Sequence, residues 1–318
     1  MSEAALAFLR ESILHGLVAA GVVLTLLRLW RLRSPRLRLR LLLLALGFPV
    51  LVQPLLFWLA PERHGAVFSE DHALFASGRY AALVLLGARA DVAMSAFLVT
   101  LALVLLLRDL LPLFAERLET PSAAPSDAVL EAQVSETLAG LGGPLRLAAP
   151  RVRLVDGEAP DISCTGQRRG EVVVSASLAR ALEPQELRAA LAHELAHLRY
   201  GDPLWGWALI GLRVLYFFNP AVQLLARFVV REIEYRADDC AAALVREPSI
   251  LATALVKTYR RGLGHRRLGS LLEPWRLHAL ERRCRRLFGP APGQEIAAET
   301  LHLGATAAGL ATLLLFVV

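Results

Sequence analysis

Three residues in one short segment have the types and the spacing needed to activate a water molecule on a metal ion: His193, Glu194 and His197. On a helix, two histidines four residues apart project from the same face and can bind one metal ion. The intervening glutamate lies beside the metal's open coordination position, where its carboxylate can take a proton from bound water. The spacing therefore predicts a zinc-activated water with Glu194 as general base, and the alternative is an amphipathic helix with two surface histidines.

A zinc ion held by two histidines needs a third protein ligand, with its fourth position left for water. The Asn219-Pro220 pair predicts the start of a helix, with asparagine as the cap and proline in the first helical position. That helix carries four candidate carboxylates: Glu232, Glu234, Asp238 and Asp239. A spacing of four pairs Glu234 with Asp238 on one face, and the other two share a different face. Spacing alone leaves the choice of ligand open.

The elements that must position these residues are also indicated by the sequence. The helix with the two histidines is expected to begin near Pro184, because proline fits the first turn of a helix, and to end at Gly201. Two short strands are predicted at 151–155 and 171–175, with a loop at 156–170. An edge strand beside such a helix can hold an extended peptide by backbone hydrogen bonds, although an ordinary small sheet has the same pattern.

The composition indicates a membrane protein rather than a soluble domain. The 318 residues are 55% hydrophobic and 20% charged, with a mean hydropathy of +0.48. Four apolar runs predict membrane spans, at 12–30, 41–60, 88–107 and 301–318. The net charge is +6 and the arginines cluster beside these runs, so lipid headgroups are the expected partners and direct nucleic-acid binding is not expected. The three cysteines are isolated and predict no disulfide framework.

The arginines also predict the orientation in the membrane. Five of them lie in the loop between the first two runs, at 31–40, whereas the loop at 61–80 has mixed charges. By the positive-inside rule the first loop is cytoplasmic, the N-terminus is outside, and the segment from 108 to 300 faces the cytoplasm. The apolar stretch 204–230 is too short for two full crossings, so we expect a half-embedded hairpin or buried helices there.

These predictions divide the chain into four parts. They are a membrane domain with three spans at 1–111, a linker at 112–127, a peptidase domain at 128–299 and a final transmembrane helix at 300–318. Inside the third part, the segment 265–288 is basic and partly amphipathic. It is expected either to lie on the anionic cytoplasmic leaflet or to pack on the peptidase core.

Four sequence motifs together resemble the peptidase domain of the antibiotic sensor-transducer family, the receptors of beta-lactam and methicillin resistance in bacteria. The motifs are HELAH at 193–197, GDPLW at 201–205, FFNP at 217–220 and EYRADD at 234–239. The same region also resembles the related zinc membrane peptidases of the CAAX-prenyl and heat-shock types. The resemblance covers about 151–289 and implies a mainly α, integral membrane protein with about four transmembrane helices and a gluzincin-like cytoplasmic zinc peptidase domain that contains a small β-sheet.

The resemblance also implies roles for particular residues. Glu234 would be the third zinc ligand beside His193 and His197, and Asp238 would hydrogen-bond a ligand histidine. Glu194 would be the general base that later returns the proton to the leaving amine. Asp202 matches a family position with two alternative roles. One is a structural contact or a contact behind a ligand, and the other is a contact at a helix end or in a loop. The receptors carry an external penicillin-binding sensor, but this sequence has no Ser-x-x-Lys motif, and direct beta-lactam sensing is not expected.

The expected function is that of a zinc endopeptidase in the bacterial inner membrane that cuts a protein substrate at the cytoplasmic face. By the resemblance, the substrate would be a transcriptional repressor or the enzyme itself, in signal transduction. One alternative is a quality-control peptidase for membrane proteins, and another is a non-catalytic receptor or scaffold in which zinc is only structural. The sequence leaves open whether the protein forms a homo-oligomer.

Overall fold

The protein is mainly helical with a small sheet, as expected. The computed structural model describes residues 3–59, 84–85, 88–118, 122–123, 127–148, 150–156, 162–165, 170–263, 273–289 and 296–315. Its helices are α1 (Glu3–Leu29), α2 (Pro35–Leu59), α3 (Ala90–Leu118), α4 (Ala128–Leu145), α5 (Ala176–Ala181), α6 (Pro184–Tyr200), α7 (Asp202–Leu215), α8 (Pro220–Val245), α9 (Pro248–Leu263), α10 (Glu273–Leu287) and α11 (Ile296–Leu315). Its strands are β1 (Val84–Leu85), β2 (Ala88–Arg89), β3 (Ser122–Ala123), β4 (Arg151–Asp156), β5 (Ile162–Thr165) and β6 (Glu171–Ser175).

The chain forms two compact units, each assembled from separate segments. The first unit consists of Met1–Leu111, Ile210–Glu232 and Pro292–Val318, and the second of Pro112–Leu209 and Ile233–Ala291. The predicted four-part division of the chain stays a prediction.

In the first unit, α1 and α2 pack against each other and α11 packs against both. Asn219 is buried at the start of α8, where its Oδ1 accepts a hydrogen bond from the backbone N–H of Ala221 at 3.0 Å. Its Nδ2 donates to the carbonyl of Ser12 on α1 at 2.7 Å. Gly16 permits this close approach, because a Cβ there would lie 2.9 Å from the Asn219 side chain. The predicted helix start at Asn219 and Pro220 is thus confirmed.

Two helices in the described residues are long and apolar enough to cross a membrane, judged by length and composition. They are the segments Glu11–Leu29 of α1 and Val92–Leu111 of α3, which coincide with the first and third predicted spans. A shorter apolar segment, Leu301–Leu313, lies at the fourth. The second predicted span, 41–60, ends one residue beyond the described residues, and the predicted loop at 61–80 lies wholly outside them. Both remain sequence-based predictions.

The second unit contains a four-stranded sheet in the order β3-β4-β6-β5. The two predicted strands are confirmed as β4 and β6, which pair in parallel. Strand β5 pairs antiparallel with β6, and β3 pairs antiparallel with β4. The loop predicted at 156–170 is wrong in part, because β5 lies inside it. Within the predicted linker at 112–127, α3 continues to Leu118 and β3 lies at 122–123, and the linker itself stays a prediction. Pairing with the neighbouring strands defines both: β3 has only two residues, and the four residues of β5 alternate too briefly for the sequence to predict a strand.

The core of the second unit lies where α4 and α9 pack on α6, and α6 packs on β5. Its fully buried side chains include Leu138, Val172, Leu191 and Leu251, one each from α4, β6, α6 and α9. Helix α6 begins and ends as predicted: Pro184 is in its first turn, and Gly201 follows it with a φ of 71°, a left-handed conformation that favours glycine. This packing fixes the helix that carries the predicted metal-binding motif.

Candidate metal centre

Helix α6 directs both histidines of the motif to one point. The Nε2 atoms of His193 and His197 lie 3.1 Å apart, and the two rings meet nearly at right angles. The stripe Leu187, Leu191 and Leu195 on the same helix is fully buried and anchors it to the core. Because the helix cannot rotate without exposing these leucines, the two imidazoles are held at the surface of the core with their Nε2 atoms together.

Helix α8 brings Glu234 to the histidines. One carboxylate oxygen, Oε2, lies 3.5 Å from the Nε2 of His193, and the other lies 3.8 Å from the Nε2 of His197. The three candidate ligand atoms lie within 4.8 Å of one another, and they form the one such group among the described residues.

Two of the other candidate carboxylates, Glu232 and Asp239, face arginines instead of the histidines. The Glu232 carboxylate is fully buried and accepts hydrogen bonds from Arg38 at 3.0 Å and from Arg231 at 3.1 Å. Asp239 forms a two-pronged ion pair with Arg286. Of the candidates that helical spacing left open, the structure therefore places Glu234 against the histidines, and its role as a ligand stays a prediction.

Each histidine also has an aspartate at its second ring nitrogen. The Nδ1 of His193 lies 3.1 Å from Asp238, and the Nδ1 of His197 lies 2.9 Å from Asp202. A carboxylate that accepts the Nδ1 proton fixes the imidazole tautomer and leaves the Nε2 lone pair free for a metal ion. Both aspartates singled out in the sequence thus lie where they could orient a ligand.

Two arginines lie behind these aspartates. Arg236 donates to Asp202 and stacks over the Tyr200 ring at 4.1 Å. Arg283 of α10 donates to Asp238 through Nε at 2.8 Å and Nη2 at 2.6 Å, and to Glu234 through Nη1 at 2.9 Å. Arg283 could not be singled out from the sequence, because it lies in a run of arginines whose partners depend on tertiary packing. The described part of the predicted basic segment, 273–288, contacts α8 through Arg283 and Arg286, which agrees with one of its two predicted alternatives, packing on the peptidase core.

The ion pairs determine the charge of the site. Burial acts to raise the pKa of Glu234, but the charge of Arg283 and the hydrogen bond from His193 outweigh it and hold that pKa well below its usual range. Burial and Arg283 act to lower the pKa of His193, but hydrogen bonds to Asp238 and Glu234 raise it to about 9. Glu234 is therefore ionised at neutral pH, and a cation that binds beside it displaces a proton from His193.

Glu194 lies beside this group without joining the three candidate ligand atoms. Its neighbour is Cys164 of β5, whose thiol hydrogen-bonds the carboxylate; burial and the charge of Glu194 raise the pKa of the thiol above its usual range. The thiol therefore stays protonated at neutral pH, and it does not belong to the group of three candidate ligands. Cys164 had no signal in the sequence beyond its isolation, yet it shows that strand β5 runs next to Glu194.

The donor set fits a zinc ion. Two imidazole nitrogens and one carboxylate oxygen are the ligands of hydrolytic zinc sites, which keep a fourth position for water. Mg²⁺ and Ca²⁺ prefer sites made of oxygen ligands alone. The arrangement defines the class: a metallopeptidase-type centre on a His-Glu-x-x-His helix, with a distant glutamate as third donor.

Comparison with known proteins supports the same class. Residues 162–260 match the family model described as the BlaR1 peptidase M56. The chain is 29% identical over 163 residues to a protease HtpX homolog of Syntrophobacter fumaroxidans, a match that covers 39% of this chain and 58% of the relative. It is 31% identical over 150 residues to protease HtpX homologs of Burkholderia cenocepacia strain HI2424 and Burkholderia ambifaria strain MC40-6, covering 37% of this chain and 53% of each relative.

The chain thus spans about half the length of the curated relatives it matches. The matched stretch includes both histidines, Glu194 and Glu234, whereas Arg283 lies beyond its end. The predicted resemblance is confirmed: this chain is similar to membrane zinc metallopeptidases of the BlaR1 and HtpX type.

Proposed function

We propose that this protein is a membrane-embedded zinc endopeptidase that hydrolyses peptide bonds of a protein substrate at the cytoplasmic face. The observation that carries the proposal is the convergence of three donors, the Nε2 atoms of His193 and His197 and the carboxylate of Glu234. A further carboxylate, that of Glu194, lies beside them and is not one of the candidate ligands. A purely structural zinc site has no need of such a base.

The residues divide the chemistry among themselves. His193, His197 and Glu234 would hold Zn²⁺, which when bound lowers the pKa of a bound water and polarises the scissile carbonyl. Glu194 would accept the proton of the attacking water and deliver it to the leaving amine. Strand β5 forms one edge of the sheet in the described part of the chain and would hold the substrate in extended form by backbone hydrogen bonds.

A gluzincin-like fold with about four transmembrane helices, in the bacterial inner membrane with the N-terminus outside, is part of the proposal. The apolar segments of α1 and α3 support it, together with the arginines at 31–40. Exposed apolar side chains at the start of α7, Leu204, Trp205 and Trp207, suit contact with a bilayer, because tryptophan is enriched at membrane interfaces.

The proposed substrate is a regulatory protein such as a transcriptional repressor, or the enzyme itself, and the match to the BlaR1 peptidase model supports this choice. The relatives named above are all HtpX homologs, which favours membrane-protein quality control as the second candidate. Cleavage of many unfolded proteins would favour quality control, whereas cleavage confined to one folded regulator would favour signalling.

Metal removal and replacement test the proposal. The full chain, purified in detergent and stripped with a chelator, should lose cleavage of unfolded casein and of itself, and about one equivalent of zinc per chain should restore it. The His197→Ala variant should not recover, because it lacks a ligand. The Glu232→Ala variant should recover, because that carboxylate faces Arg38. Undiminished cleavage by the stripped protein would contradict a zinc peptidase.

A further inference from the structure

We infer that Arg283 is a positioning residue of this metal centre, which fixes the third ligand and the aspartate behind His193 with one guanidinium group. This inference rests on the proposed function, since it assigns Glu234 to the metal. Arg283 lies outside the residues that match the peptidase family model.

All three donor nitrogens of Arg283 are committed to the site. Nη1 lies 2.9 Å from Oε2 of Glu234, while Nη2 and Nε lie 2.6 and 2.8 Å from the two oxygens of Asp238. Nη2 also lies 3.3 Å from the Nε2 of His193. A planar guanidinium binds a carboxylate by two parallel hydrogen bonds, which sets direction as well as charge. Arg283 therefore stands at the rim of the metal position and orients two side chains at once.

The two carboxylates need such a partner. Glu234 and Asp238 are one helical turn apart on α8, and like charges at this spacing repel each other. Asp238 is almost completely buried, whereas the Glu234 side chain is one-third exposed and has a route to solvent. Without Arg283, Glu234 would turn outward and Asp238 would lose the contact that aims it at His193. Removal of Arg283 would therefore disturb two candidate ligands at once, Glu234 directly and His193 through Asp238.

If Arg283 acted only through its charge, its removal would change zinc affinity in the opposite direction from the one that a positioning role predicts. A guanidinium beside a divalent cation repels it, so a purely electrostatic role means that removal of Arg283 tightens zinc binding. A positioning role means that removal weakens zinc binding, and the loss of a group that orients ligands costs about 10–100-fold in metal affinity. The sign of the change therefore separates the two roles.

Helix α10 supplies a matched control, three residues further on. Arg286 pairs with Asp239 through both of its terminal nitrogens and also donates to the carbonyl of Tyr235 at 3.3 Å. It links α10 to α8 as Arg283 does, but its partners in these contacts are Asp239 and Tyr235 rather than His193, His197 or Glu234. A general loss of α10 packing would thus affect zinc binding equally in variants at either arginine.

The experiment compares Arg283→Gln and Arg286→Gln with the wild type in the full detergent-solubilised chain. Zinc affinity is measured by competition with a chromophoric chelator, and the ligand geometry by the visible absorption of the Co²⁺-substituted protein. We expect Arg283→Gln to bind zinc about 10–100-fold more weakly, with altered Co²⁺ bands. Arg286→Gln should match the wild type in both. Should Arg283→Gln not fold, Arg283→Lys takes its place, since lysine keeps the charge but cannot reach both carboxylates.

Wild-type or tighter zinc binding by the variant at 283 would overturn the inference, and so would an equal loss in Arg286→Gln. A wild-type chain that binds no zinc would instead refute the proposed function. The two failures are distinguishable because the assay measures zinc affinity and never requires cleavage of a substrate.

Discussion

Each histidine of the centre begins the same kind of hydrogen-bond series, in which a ring nitrogen contacts an aspartate and the aspartate contacts an arginine. His197 continues to Asp202 and Arg236, and His193 continues to Asp238, with Arg283 behind it. In each series the aspartate is buried and its charge is neutralised by the arginine, which removes the cost of an unpaired buried charge. Histidines held in this way lose little freedom when they bind a metal, so tight binding is expected.

The choice of third ligand gives a prediction at this scale. Glu234→Ala should weaken zinc binding by more than about 100-fold, beyond the loss that outer groups cause, because it removes a donor atom. Glu232→Ala should leave zinc binding near the wild-type value, since its carboxylate is occupied by Arg38 and Arg231. The same chelator competition measures both. Equal losses, or a larger loss for Glu232→Ala, would refute the assignment.

The helical motif could be predicted at residue level because four-residue spacing on a helix is local geometry. The choice between Glu232 and Glu234 could not, since it depends on which face of α8 meets α6. Arg283 was out of reach for the same reason: its neighbours Arg282, Arg285 and Arg286 have the same residue type, and tertiary packing alone distinguishes them.

At the scale of elements, helix starts and ends follow local signals. Asp127 begins α4, where its side chain accepts a hydrogen bond from the backbone N–H of Leu130 at 3.1 Å and pairs with Arg180 at 2.6 Å. The hydrogen bonds from Arg180 and Leu130 lower the pKa of Asp127 below its ordinary value of 3.8. Strand β5 alternates over only four residues, and its pairing with β6, a tertiary contact, is what defines it as a strand.

This cap predicts a pH-dependent stability. Because the folded-state pKa of Asp127 is lower than the unfolded value, its contribution is complete above that value and is lost as pH falls through the folded-state pKa. Asp127→Ala should therefore lower the melting temperature at pH 7, and the difference from wild type should shrink at strongly acidic pH. Circular dichroism follows both melts, with exposed Glu136→Ala as the control. A difference that persists unchanged in acid would contradict the role of the charged form.

An ion cluster joins three helices of the first unit. Asp109 of α3 accepts hydrogen bonds from Arg213 of α7 at 2.8 Å and from Arg227 of α8 at 2.8 Å, and Arg213 is buried. Asp109→Ala would leave this buried guanidinium without its carboxylate, at a cost of about 3–5 kcal/mol. The melting temperature in detergent should fall clearly below that of Glu247→Ala, which removes an exposed carboxylate. Equal melting temperatures would show that the cluster adds nothing to stability.

At the scale of the whole molecule, the proposed activity depends on which side of the membrane holds the metal centre. Topology reporters placed after Arg38 and within 128–141 should read cytoplasmic, and one placed after Asp71 should read external, because arginines concentrate in the first loop. An external signal from 128–141 would remove cytoplasmic proteins from the possible substrates. The metal centre itself would stand unaffected.

The most direct test of the central claim is the Glu194→Gln variant, assayed for cleavage and zinc content on the same sample. Glutamine has nearly the same shape as glutamate but cannot accept the proton of the attacking water at neutral pH. Because Glu194 lies outside the ligand group, zinc should stay at about one per chain, as in a control Glu136→Gln. Cleavage should fall by about 10²–10⁴-fold. A variant that keeps its zinc and cleaves at the wild-type rate would contradict the peptidase mechanism.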